Sequence, residues 1–136
     1  MKRSAMAAVG LLISGSVVAD NLEGAKRLLC STSQIVACVE ADQCYPVMGH
    51  EAGVPDFIVV DIGKKLLSTT KASEENRVTP ISSVSRANGQ IYLQGIDLGR
   101  AFSFVIHEQT GRITVAVSRD GVSVTVFGAC TNADLS

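Results

Sequence analysis

The chain contains no tryptophan, two tyrosines and four phenylalanines. So few rings offer no platform for stacking bases or sugars, which argues against a carbohydrate binder or a single-strand nucleic-acid binder. Histidine is scarce too: His50 and His107 are the two present. His50-Glu51 sits in a glycine-flanked loop with a spacing that cannot place two metal ligands on one strand face, and His107-Glu108 is at a strand end next to a turn, where polar residues normally sit. There is no Gly-x-Ser-x-Gly elbow. Ser103 and His107 share a parity, but four residues of extended chain hold them roughly 13 Å apart, too far for a nucleophile and its base. Glycine-rich phosphate loops, internal repeats and low-complexity tracts are missing. The expectation is a protein that is not an enzyme and holds no cofactor and no metal.

A basic excess is also lacking. The whole chain carries 12 Lys and Arg against 13 Asp and Glu. Nucleic acids and anionic membranes both call for a basic patch, so neither is expected as a partner. After the first 19 residues no apolar run approaches the length of a membrane span.

Those first residues read as an export signal. Met1-Lys2-Arg3 is a short basic start, Ala5 to Val18 is apolar, and Val17-Val18-Ala19 places small residues at the −3 and −1 positions. Residues 1–19 are therefore expected to be a signal peptide cleaved before Asp20, and residues 20–136 a single β-rich domain. Cleavage removes Lys2 and Arg3, so ten bases face 13 acids and the mature net charge is about −3. Arg27-Leu28-Leu29 lacks the small residues that precede a lipidated cysteine, so Cys30 is not read as a lipid anchor.

Four cysteines remain: Cys30, Cys38, Cys44 and Cys130. An even number in an exported chain reads as disulfides, with three connectivities open. The favoured one joins Cys38 to Cys44 across a short loop and Cys30 to Cys130, tying the first strand to the last. The spacings of seven and five intervening residues differ from the two of common zinc sites. The compartment expected is periplasmic or extracellular.

The strongest structural signal lies between Gly89 and Cys130. Phe102, Phe104 and Ile106 alternate with Ser103, Val105 and His107. Ile113, Val115 and Val117 do the same in the next run, and Val122, Val124 and Val126 in the one after. A side-chain period of two puts each apolar set on one face of a strand. Asn88-Gly89 and Asp120-Gly121 are dipeptides suited to tight hairpin turns, and Glu108 to Gly111 is a slightly longer one. Upstream, Leu28 to Val39 reads best as a strand, with Cys30 and Cys38 on one face, while a helix over Gln34 to Glu40 is the competing reading. Glu40-Ala41-Asp42 is the tip of a disulfide-closed hairpin that returns through Cys44 to Val47. Asp20 to Leu29 is either a short helix or an extended arm, Met48 to Pro55 a loop, and Phe57 to Ile62 a strand buried on both faces or a barrel strand. Ser68 to Arg77 is a polar exposed loop. Val78 to Arg86 is a strand that Pro80 confines to an edge or a bulge. Thr131 to Ser136 is a polar tail. The fold class expected is all-β: an antiparallel meander of about eight strands, forming a small barrel or a strongly curved sheet or sandwich, with little helix.

Val54-Pro55-Asp56-Phe57 leading to Asp61 and Lys64-Lys65, then Leu93-Gln94-Gly95, the run Gly99 to Ile106, Thr110-Gly111 and Phe127-Gly128-Ala129-Cys130-Thr131 together form a pattern covering most of the mature chain. It resembles a family of small exported proteobacterial proteins of uncharacterised function. The resemblance implies a Gram-negative, periplasmic setting and a cysteine framework shared by relatives. It implies no activity and no site residues.

One charge stands out. Arg100 has the parity of Phe102, Phe104 and Ile106, so it belongs to the apolar face, at the start of its strand. At the rim of a barrel it would meet a carboxylate or phosphate head group, or pair with Asp97 or Asp61 and hold the barrel end together. Arg100, Phe102 and Phe104 are the expected contacts of a small apolar or amphipathic ligand. The alternative is a protein–protein module, an envelope accessory protein or inhibitor, acting through Ser68 to Arg77 or the tip at Glu40 to Gln43.

Intact mass spectrometry of protein exported by a Gram-negative host checks the processing: the expected mass is that of residues 20–136 less four protons.

Overall fold

The computed structural model describes Gly10 and residues 21–134. The expected signal peptide, residues 1–19, lies outside the described residues apart from Gly10. Ten strands are present among the described residues: β1 (Arg27–Val39), β2 (Cys44–Pro46), β3 (Phe57–Asp61), β4 (Leu66–Thr69), β5 (Val78–Pro80), β6 (Ser83–Ala87), β7 (Gln90–Asp97), β8 (Arg100–His107), β9 (Arg112–Arg119) and β10 (Val122–Asn132). The polar tail expected from Thr131 thus still belongs to β10 for two residues, because Thr131 and Leu29 and then Asn132 and Leu28 are in register. One short helix, α1 (Gly49–Ala52), interrupts the loop expected between Met48 and Pro55. Its ends are closed by a 2.6 Å bond from the Met48 N–H to Glu51 Oε2 and one of 2.8 Å from the Val54 N–H to the Gly49 carbonyl. Four helical residues carry no apolar period that would distinguish them from a loop.

The strands form one antiparallel sheet in the order β5-β4-β3-β1-β10-β9-β8-β7-β6, with β2 pairing β1 off this path. The sheet is so strongly curled that it makes a half-barrel of these nine strands. Its two ends, β5 and β6, are consecutive in the chain. Ile81 donates to the Lys65 carbonyl, on the β4 side, at 2.9 Å, and Ser82 to the Gln94 carbonyl of β7 at 2.8 Å. The backbone therefore changes partners at a two-residue corner just after Pro80. A proline ends a ladder well because it has no N–H to donate.

β1 is the spine. One edge pairs with β10 along almost its full length, and the other is shared by β2 above and β3 below. Its register slips once, because Ser33 is an extra residue between the pairs Thr32–Gly128 and Gln34–Phe127. A bulge of one residue reverses the side-chain alternation. Leu28 and Cys30 point inward before it; Ile35 and Ala37 do so after it. Cys38 consequently faces away from the side that Cys30 occupies, which corrects the expectation that they share a face. Gly128 sits opposite, where any Cβ would run into the Ser31 carbonyl.

Both expected disulfides form, Cys30 with Cys130 and Cys38 with Cys44, and no cysteine is free among the described residues. They indicate an oxidising compartment. Each joins directly opposed residues of neighbouring strands, with Cα separations of 3.9 and 4.1 Å. The Cys130 N–H donates to Gly111, so its backbone faces β9 and the Cys30–Cys130 position is a non-hydrogen-bonded one. Side chains approach most closely at such positions.

The base of the half-barrel is filled. Leu22, Leu28, Val60, Ile91 and Ile106 are fully buried there. The segment before β1 crosses this end as a turn: Gly24 has φ 74°, the Leu22 N–H donates to the Glu108 carbonyl at 2.7 Å, and Arg86 donates to the Ala25 carbonyl. Neither a helix nor a free arm forms, because Leu22 and Ala25 are drawn under the barrel and lose all but 1% of their exposure. Glu108, whose carbonyl accepts from Leu22, is also buried, at 8% exposure.

The loop-entropy relation assigns about 4.7 kcal/mol to a bridge that closes roughly 100 residues and about 2 kcal/mol to one that closes six or seven. Urea unfolding of the Cys30→Ala/Cys130→Ala protein should accordingly show about twice the loss of stability seen with Cys38→Ala/Cys44→Ala.

Candidate ligand-binding cavity

Above its filled base the half-barrel is hollow. Alternation aims Ala37 of β1, Val124 and Val126 of β10, Val115 and Val117 of β9, and Phe102 and Phe104 of β8 at one interior space. That space has a volume of about 580 Å3. Ligand sites are generally apolar concavities of roughly 300–1,000 Å3 with a few polar groups. The two phenylalanine rings meet edge to face with centroids 5.7 Å apart. Phe102 lies over Gly95, its partner across the β7–β8 ladder, where a Cβ would overlap the ring. Gly95 thus leaves the place that Phe102 occupies. In the upper layer Gly95, Phe102, Val117, Val124 and Ala37 follow one another in register, and all but Phe102 are small.

The mouth is polar. Asp97 and Arg100, opposed at the end of the β7–β8 hairpin, approach to 3.7 Å between Oδ2 and Nη2. Thr79 of β5 donates from its hydroxyl to the same Asp97 Oδ2 at 3.3 Å. Arg100 was expected to pair with Asp97 or Asp61, and Asp97 is the partner. Asp61 instead caps a turn, accepting from the Lys64 N–H at 2.8 Å. Arg77 donates to the Gly53 carbonyl at 3.2 Å and pairs with Glu75 at 3.6 Å. The segment after α1, Gly53 to Pro55, forms part of the cavity wall, as do Glu51 and Arg119.

Arg100, Phe102 and Phe104 therefore share one cavity, with the arginine at the rim and the rings below. Arg119 and Arg77 join them. Arg119 continues the parity of Val115 and Val117, a signal that Asp120-Gly121 obscures by making it look like a turn flank. The histidines lie elsewhere. His50 is exposed on α1, and His107 Nδ1 accepts from the Thr110 N–H at 3.2 Å. Among the described residues no cluster of three His, Cys, Asp or Glu side chains is placed to hold a metal ion.

Beside the mouth, Val78, Ile96 and Leu98 are exposed and flank the Thr79–Asp97 contact. Leu98 is 82% exposed and has φ 50°, followed by Gly99 at φ 74°. Two successive positive φ values suit Asn-Gly or Gly-Gly rather than leucine.

No protein-family model, curated protein or solved structure matches this chain.

Strain of this kind costs on the order of 1 kcal/mol. Leu98→Asn should raise stability by about that amount in thermal or urea unfolding, with the tip unchanged.

Proposed function

We propose that the mature chain is a non-enzymatic, exported β-domain, periplasmic or secreted, that binds a small apolar or amphipathic ligand in the hollow half of its barrel. The observation that carries this reading is the cavity itself. Phe102, Phe104 and the valines of β9 and β10 surround about 580 Å3 instead of filling it. An interior packed to ordinary density would gain dispersion contacts that an empty one forfeits, so an unfilled apolar space is a cost that a ligand can offset. Arg100 and the face carried by Phe102 and Phe104 are the contacts proposed. The two disulfides suit export, and membership of the small exported proteobacterial family is part of the same proposal.

The exposed Val78, Ile96 and Leu98 favour a second reading, a protein–protein module, since apolar side chains left in solvent, one of them at a strained turn, need a reason. The loop before Val78 and the tip at Glu40 to Gln43 border the same end of the barrel.

Native mass spectrometry of protein taken from the periplasm without refolding separates the two. An added small-molecule mass, lost on unfolding and lost in a Val115→Phe variant that narrows the cavity, is the outcome expected. A bare disulfide-bonded chain or a symmetric dimer would shift the assignment to the protein–protein module.

A further inference from the structure

The charges at the mouth are unequal in a way that names one end of the ligand. The β8–β9 ladder ends at Ala101 opposite Ser118, and the same register carried one step further toward the mouth sets Arg100 against Arg119. Val122 of β10 opposes Arg119 from the other side and brings no charge. Like charges directly across a ladder repel. Asp97 offsets Arg100, and it is shared with the Thr79 hydroxyl. Arg119 makes no hydrogen bond or ion pair among the described residues, although Asp120 and Glu40 lie near its end of β9. The third arginine of the cavity wall, Arg77, is occupied by the Gly53 carbonyl and Glu75. The other acid there, Glu51, accepts from the backbone of Met48. Arg119, without an ion-pair partner, and Arg100, paired with Asp97, therefore line the same mouth, one residue pair beyond Phe102 and Val117.

We infer that the ligand carries an oxyanion, a carboxylate or a phosphate, held between Arg100 and Arg119, with an apolar tail directed down past Phe102 and Phe104 toward Val115. This deepens the ligand-binding reading and rests on it. A guanidinium fork matches both oxyanions in planar, two-point hydrogen bonding, and the anion relieves the repulsion between the two arginines. A neutral head group leaves that repulsion in place, and a cationic one adds to it.

The test measures binding of decanoate, decyl phosphate and decanol to the mature, disulfide-bonded protein by calorimetry, in the parent chain and in Arg119→Ala, Arg119→Gln and Val115→Phe. Charge-assisted hydrogen bonds contribute enough for the oxyanion probes to bind roughly tenfold to a hundredfold more tightly than decanol. Both Arg119 variants should remove most of that advantage and leave decanol unchanged. Val115→Phe should weaken all three probes. The tighter of decanoate and decyl phosphate identifies the head group. Equal binding of decanol and the oxyanions, untouched by either Arg119 variant, would overturn the oxyanion assignment while the cavity reading stood. If no probe binds, or if Val115→Phe changes none of them, the cavity reading itself fails and the assignment with it. Arg119 is exposed and its side chain makes no hydrogen bond or ion pair among the described residues, and circular dichroism of both variants checks that the sheet is intact.

Discussion

Pairing of the first long strand with the last is the constraint from which the rest follows. β1 and β10 are joined through eleven residue pairs and by the Cys30–Cys130 bridge, between positions 100 apart in sequence. Such a contact is entropically expensive to make, because most of the chain must be ordered before it is rewarded. Once made, it sets both edges of β1. Everything from β10 back to β6 is then a run of hairpins hung on one side. On the other side β2 and β3 share a single edge, and α1 with Gly53 to Pro55 bridges the gap between them.

That gap is why the barrel has two unlike halves. Below it the sheet is continuous from β3 to β9, and the turn before β1 inserts Leu22 under it. Branched side chains from several strands meet there and exclude solvent. Above it the wall consists partly of loop, and apart from Phe102 and Phe104 the inward residues of β1, β9 and β10 are Ala37 and valines, which leave the centre open. The Ser33 bulge takes part in this division. It resets the alternation of β1 so that Ile35 and Ala37, rather than Gln34 and Val36, look into the upper half.

The polar rim follows from the same geometry. Strands that enter or leave at the mouth end in Asp97, Arg100 and Arg119, and the inward parity of their strands carries these charges onto the cavity side. Thr79 bonds Asp97 where β5 and β7 lie side by side without a continuous ladder. Beside it the Ser82 N–H donates to the Gln94 carbonyl of β7, so one side-chain bond and one backbone bond hold the seam. Apolar wall, unequal charge and a strained apolar tip are thus brought to one end of the molecule.

Much of this was legible before folding. Period-two alternation over Phe102 to Val126, Asn-Gly and Asp-Gly turns, and the cysteine count all act within a few residues, so the strands, the hairpins and the class of fold are written locally. The placement of Arg100 on the apolar face of β8 follows from parity alone. What the tertiary structure decided depends on residues distant in sequence. The bulge at Ser33 exists only against Gly128, and it places Cys30 and Cys38 on opposite faces. The bond from Leu22 to the Glu108 carbonyl joins two residues far apart in the chain at the base. The hollow arises from the sum of side-chain volumes around the curled sheet, and the placing of Arg100 and Arg119 at one mouth from the register of β8 against β9. No single segment contains that information, because volume and register are properties of strands taken together.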